Sequence, residues 1–259
     1  MRRLPPQVQR HQRDDFASRK LPIRDYLADI AIFVNGAKGH SALQLSRDLN
    51  CQYKSAFVMA HKLREAVADE QRQVGEVAGS VEVDGAYFGG YIKPANRRED
   101  QIDRRRRVYQ TGKREVVVVM REREGRTLPF VAPTEAAGVA VVAETVAPGS
   151  TVYADEASHW DALEARFLTK RINHSEAYST PEACTNMAES FFSRLRRAEI
   201  GHHHHVAGIY LVRYAQESAW REDHRRMANG DQVGRVAGLA MHKVTSPDFV
   251  GYWQQHLAA

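Results

Sequence analysis

Three carboxylates far apart in the chain, Asp84, Asp155 and Glu189, occupy positions from which they could do chemistry together. Asp84 closes a short run of strand character (Val81, Glu82, Val83), Asp155 closes another (Thr151, Val152, Tyr153, Ala154), and Glu189 falls in a helical pattern over 185–197. Seventy residues lie between the first two and 33 between the second and third, which is room for intervening secondary structure. Hard divalent ions such as Mg²⁺ or Mn²⁺ take oxygen ligands and leave coordination positions for phosphate and water. Two such ions ~4 Å apart activate an attacking oxygen and stabilise a leaving one. The three acids therefore predict a two-ion phosphodiester site with Asp84, Asp155 and Glu189 as ligands. The residues alone leave a plainer reading open, because an Asp at a strand end is commonly a turn former or helix cap. Glu82 and Glu156 are rivals for the first two positions.

The helical pattern around Glu189 carries its own argument. Cys184, Ala188, Phe191 and Leu195 form an apolar stripe, and Glu189 lies about 100° from its centre, at the border between a core and a cleft. Arg196, seven residues on, shares nearly the same face, so a carboxylate for metal and a guanidinium for phosphate sit together. Arg194 and Arg197 extend this basic end as DNA contacts. A further run, Arg104, Arg105, Arg106 and Arg107, either grips a DNA backbone or forms a solvated loop. The balance of 37 Lys and Arg against 32 Asp and Glu, a formal charge of +5, permits an anionic partner without requiring one.

The elements that position these groups follow from periodicity. Residues 1–20 are basic and irregular. Helical spacing over 23–34 ends at Asn35 and Gly36. A second helix after Ser41 and a third over about 53–68 have the outline of a helix-turn-helix, which would offer Lys54, Ser55, His61, Lys62 and Arg64 to DNA. A small helical bundle with solvated Lys and Arg is the alternative, and both stand on the pattern alone. The polar stretch 69–80 is expected to be a linker. Beyond it come strands at 81–84, 116–120 and 127–131, a helix at 136–146, a strand at 151–155, a helix at 158–167, a short strand at 171–174 and the helix at 185–197. A hairpin entry is expected at 87–91, a helix at 210–220 and a loop at 229–238. This is the pattern of an α/β layered domain. Four adjacent histidines, His202 to His205, predict either a polar turn on DNA or a solvated loop. His174 is read as structural before catalytic.

Cys51 and Cys184 are too few for a zinc ribbon or a disulfide framework and are expected to be reduced. No apolar run is long enough to span a bilayer, and the basic start is not followed by an apolar segment, so a soluble, cytoplasmic protein is expected with no membrane partner.

The stretch Val81-Glu82-Val83-Asp84-Gly85-Ala86-Tyr87-Phe88-Gly89-Gly90 resembles the opening of the catalytic domain of ISXO-two-like insertion-sequence transposases, of the DDE superfamily. Val152-Tyr153-Ala154-Asp155-Glu156, then Asn173-His174-Ser175-Glu176, then Asn186-Met187-Ala188-Glu189-Ser190-Phe191-Phe192-Ser193 with Leu195-Arg196-Arg197, resemble the acidic motifs that follow, in order. His204-His205-Val206 resembles the family's short histidine motif. Ser41-Ala42-Leu43-Gln44-Leu45-Ser46-Arg47 is similar to its helix-turn-helix segment.

The resemblance implies an α/β, ribonuclease-H-like mixed sheet with flanking helices, preceded by a helix-turn-helix module. The implied activity is DNA cleavage at insertion-sequence ends and strand transfer into target DNA, with double-stranded DNA as partner and a homodimer or larger assembly on it. A nuclease that does not join, or an inactive DNA-binding descendant, are the alternatives. The expected division is 1–20 as a basic N-terminus, 21–72 as the DNA-binding module, 81–220 as the catalytic domain and 221–259 as a tail of uncertain structure. Relatives often begin with a cysteine-based zinc ribbon, so a shortened or diverged start is also expected here. In some relatives Asn replaces the third acid, which makes Asn186 the rival of Glu189.

Overall fold

The computed structural model describes residues 21–73, 75–89, 114–172 and 184–244, with 246, 248 and 249. The Arg104 to Arg107 run, the motif at His174 and the basic residues 1–20 lie outside the described residues. Two compact units are present: Gly75–Asp223, and a second made of Met1–Val74 with His224–Ala259.

In the larger unit the strands are β1 (Ser80–Gly89), β2 (Arg114–Glu122), β3 (Thr127–Ala132), β4 (Thr151–Asp155) and β5 (Leu168–Ile172), in the sheet order β3-β2-β1-β4-β5. The β1–β2 and β2–β3 pairs are antiparallel, whereas β1–β4 and β4–β5 are parallel. Among the helices, α4 (Glu135–Thr145) connects β3 to β4, followed by a 3-10 helix (Ser158–Ala165), α5 (Asn186–Ala198) and α6 (Gly208–His224).

Side chains alternate across a pleated strand, and here the alternation builds two cores. Val81, Val83, Val116, Val118, Met120, Val152 and Ala154 pack with Val142 of α4 and with Trp160 and Leu163 of the 3-10 helix. Ala86, Phe88, Val117 and Val119 face the other way, against Ala188, Phe191 and Leu195 of α5 and Leu211 and Ala215 of α6. A mixed sheet between helical layers in this strand order is a ribonuclease-H-like fold with a helical module before it, as the resemblance implies.

Gly138 of α4 shows how closely that layer lies on the sheet: a Cβ there would meet Val118 Cγ2 at 2.8 Å. Gly138→Ala is expected to lower the stability of this unit by about 1–3 kcal/mol, the usual range for overpacking, as read by urea denaturation.

The smaller unit contains α1 (Ile23–Asn35), α2 (Ala42–Asp48), α3 (Tyr53–Gln73) and α7 (Asn229–His242). Ser41 caps α2 by accepting the Gln44 N–H (3.1 Å). Leu45 packs on Ala56 and Ala60 across the turn.

Several elements differ from the sequence reading. The helix expected to stop near 68 continues to Gln73, because Glu70 to Gln73 are polar but good helix formers, and Arg72 donates back to Asp69 (2.6 Å). The expected hairpin entry at 87–91 gives way to continuous strand as far as Gly89, since β2 pairs with β1 along its length up to Gly89 opposite Arg114. The 3-10 helix replaces an α-helix after β4. The expected loop at 229–238 is helix: Gly230, Gly234 and Gly238 look like breakers, yet Val236 and Ala240 are buried and anchor the turns.

Candidate active site

Adjacent strands place the first two acids. Val81 pairs with Val152 and Glu82 with Tyr153, so Asp84 and Asp155 each lie two residues beyond partnered residues of neighbouring parallel strands, on the same pleat face. Neighbouring strands run about 4.8 Å apart. That face is covered by α5, which carries Glu189 in its first turn. A cleft of ≈ 450 Å³ opens here, lined by Asp84, Gly85, Ala86, Glu189, Phe192, Ser193, Arg196 and Arg197.

Charge is concentrated at this point. Burial of the Asp84 carboxyl, followed by the nearby Asp155, Glu189 and Glu135 carboxylates, pushes its pKa up to about 7, against the opposing hydrogen bond from Gly85 N–H. Asp84 and Asp155 are each held by a backbone donor. Gly85 N–H donates to Asp84 Oδ1 (2.7 Å), Ala157 N–H donates to Asp155 Oδ1 (3.2 Å), and the buried Thr185 hydroxyl lies 3.5 Å from Glu189 Oε1. Arg171 fixes the backbone at the end of β4, donating to Asp155 O (2.6 Å) and Ala157 O (2.7 Å).

The donor set is all carboxylate oxygen, which suits a hard divalent cation, and a cation would offset the burial and the neighbouring charges that raise Asp84. Among the described residues, however, no three His, Cys, Asp or Glu side chains converge closely enough to hold one ion as they stand. The residues fit such an ion in chemistry, at the point where their charges already interact.

Glu135 is the acid that sequence reasoning missed. It starts α4 beside the Thr134 cap, its side chain lies against Gly85, where a Cβ would meet Glu135 Cγ at 2.7 Å, and it sits 3.5 Å from His159 Nε2. Burial, then Asp155, raises its pKa, while burial lowers that of His159. The Thr134-Glu135 pair opening a helix directly after β3 was the available signal.

The rivals separate. Glu156 and Asn186 are exposed where Asp155 and Glu189 are half-buried, and Glu82 is buried under α5; of the three acids, Asp84 and Glu189 line the cleft and Asp155 does not. Arg196 and Arg197 are exposed at the cleft, Arg196 with its guanidinium 5.9 Å from the Phe88 ring centre. Arg194 is instead ion-paired with Glu222, in a group with Arg121 and Asp223 that ties β2 to the end of α6. It does not line the cleft.

In the helical module Lys54 is exposed, and Ser55 and Lys62 are half-buried. His61 and Arg64 are fully buried, which corrects their assignment to a DNA-facing surface. The His61 ring lies 4.3 Å from Phe57 and stacks on Phe249 at 5.2 Å, and Arg64 donates to His40 O (3.3 Å). Of the four histidines, His202, His204 and His205 are exposed and His203 meets the Tyr214 ring edge-on at 4.5 Å. No helix among the described residues is long and apolar enough to cross a membrane.

Comparison with known proteins agrees with this architecture. No curated protein matches the chain. A solved structure described as the Mos1 strand transfer complex aligns over 88% of this chain and 82% of that one, at 13% identity and a TM-score of 0.28, too low to weigh for fold or function. The family model of the ISXO2-like transposase domain matches residues 76–223, which takes in β1 with Asp84, β4 with Asp155 and α5 with Glu189. With more than half its length matched, the chain belongs to the family of ISXO2-like transposase domains.

Proposed function

We propose that the chain is a DNA transposase that cleaves at insertion-sequence ends and transfers the freed strand into target DNA, with Asp84, Asp155 and Glu189 holding two divalent ions. The observation that carries this reading is the cleft that gathers Asp84, Glu189, Arg196 and Arg197, with Asp155 on the adjacent strand acting on Asp84. Family membership supports a transposase-like, DNA-acting enzyme with divalent-metal use, and the residue roles extend it.

Ions of the Mg²⁺ or Mn²⁺ class supply, when bound, activation of the attacking oxygen and stabilisation of the leaving one. The protein's own part is positional. β1 and β4 present Asp84 and Asp155 side by side, and α5 brings Glu189 over them. Arg196 and Arg197 receive the phosphate that bridges into the cleft, where charge-assisted hydrogen bonds to a planar guanidinium fix its orientation. Lys54, Ser55 and Lys62 on α3 face the DNA backbone or groove, and the protein works on DNA as a dimer or larger assembly.

The assay is cleavage and joining of duplexes carrying the element's ends in Mg²⁺. Glu189→Gln is expected to lose both steps, while Asn186→Ala keeps them within ~3-fold, as for an exposed residue outside the site. Loss with Asn186→Ala and retention with Glu189→Gln would move the third ligand to Asn186. Cleavage without joining would identify a nuclease, and specific end binding with neither would identify an inactive descendant.

A further inference from the structure

Glu82 lies two residues before Asp84 on the same face of β1, yet it is 1% exposed and sits beneath the start of α5. Its Oε2 accepts the N–H groups of Met187 (2.8 Å) and Ala188 (3.1 Å), two of the first donors of α5, which have no partner within the helix. Its Oε1 accepts from Arg123 Nε (3.2 Å), and the Cys184 thiol lies 3.8 Å away. Arg123 also donates to Cys184 O (3.1 Å) and lies 3.7 Å over the Tyr153 ring of β4.

The residue at the helix cap position, Thr185, makes no capping hydrogen bond with its side chain. Thr is a good cap, and the ordinary arrangement would turn its hydroxyl onto the free N–H groups. That hydroxyl lies 3.5 Å from Glu189 Oε1. The strand supplies the cap.

We propose that Glu82, steered by Arg123, is a positioning residue for the metal-binding acids: it fixes the first turn of α5 and with it the place of Glu189. This rests on the reading of Glu189 as a ligand. One strand then sets two acids at once, since Asp84 projects from β1 directly and Glu189 is placed by the helix that β1 caps. The carboxylate is well suited to the task. A negative charge stabilises a helix N-terminus, and the guanidinium beside it balances the buried charge.

The test compares wild type with Glu82→Gln, with the charge-balanced double variant Glu82→Gln/Arg123→Gln, and with Glu189→Gln. Three readouts are taken: the metal-free melting midpoint, the Mn²⁺ concentration that raises that midpoint half-maximally, and kcat and KM for cleavage of end DNA. Removing an outer partner of a ligand typically weakens metal affinity ~10–100-fold. The expected result is that a folded Glu82 variant needs at least ~10-fold more Mn²⁺ and loses a similar factor in kcat, with KM for DNA within ~2-fold of wild type. An unchanged Mn²⁺ requirement in either variant overturns the inference, and so does a Mn²⁺ response that falls only in step with the metal-free melting midpoint. Glu189→Gln separates the two levels. If it keeps the wild-type Mn²⁺ response and cleavage, the ligand reading fails and this inference with it. If it loses both while the Glu82 variants keep them, the positioning role alone fails.

Discussion

Asp84→Asn is expected to lower DNA cleavage by more than ~100-fold, beyond the range for removing an outer-sphere partner of a metal ligand, while making the metal-free protein more stable at pH 8. Both halves come from one observation. The Asp84 carboxyl is raised to about 7 by burial and by the Asp155, Glu189 and Glu135 carboxylates around it. A group whose folded pKa lies above its unfolded value favours the fold when protonated, and that contribution is lost as pH rises, here between about 4 and about 7. Asn keeps the shape and cannot ionise, so the repulsion disappears together with the ability to bind a cation. A dead and more stable variant is the mark of a site that gives up stability for function. Cleavage rates and urea denaturation at pH 8 without divalent ions check it. A variant that is inactive because it is unfolded would show the opposite sign in the second measurement.

The second large effect belongs to the helical unit. Asp29 of α1 is 1% exposed with one carboxylate oxygen unpartnered, and burial raises its pKa to about 8 despite the opposing charge of Arg64. Below about pH 4 the folded and unfolded chains both carry the proton. Above it the unfolded chain releases the proton and the folded chain retains it, so stability falls by up to ~1.4 kcal/mol per pH unit until about pH 8. Asp29→Asn mimics the protonated form and should match wild type near pH 4, then exceed it progressively, by several kcal/mol at pH 8 on the upper-limit slope of ~1.4 kcal/mol per unit. Urea denaturation of both proteins from pH 4 to pH 9 checks this. Parallel curves would mean that Asp29 is ionised in the folded state throughout.

The catalytic unit was legible where a residue pattern answers to one physical cause. Val116 to Met120 form an apolar run because β2 is covered on both faces. Asp84 and Asp155 mark where parallel pairing between β1 and β4 has run out, and their shared parity was visible as alternation. Legibility failed where the deciding partner is remote in sequence. Nothing local tells Glu82 from Asp84, since both are acids on one face of one strand; only the arrival of α5 separates a buried cap from a cleft-facing acid. Glu135 lies against Gly85, next to Asp84 in the chain, a contact that no spacing rule encodes. In the helical unit the error was one of weighting. Phe57, His61, Arg64 and Ala68 recur at helical spacing and therefore share the inner stripe of α3, but the polar character of His61 and Arg64 outweighed their spacing. The three glycines of α7 likewise outweighed the apolar residues between them.

Metal-dependent cleavage and joining at Asp84, Asp155 and Glu189 can be followed in one assay. Its most direct measurement is a time course with a labelled duplex carrying the element's end and an unlabelled target, in Mg²⁺ and in EDTA, for wild type and for Asp155→Asn. Wild type in Mg²⁺ is expected to yield a nicked end that rises and then gives way to a joined product, with neither species in EDTA or with Asp155→Asn. Joined product formed by Asp155→Asn at the wild-type rate, or by wild type in EDTA, would contradict that expectation.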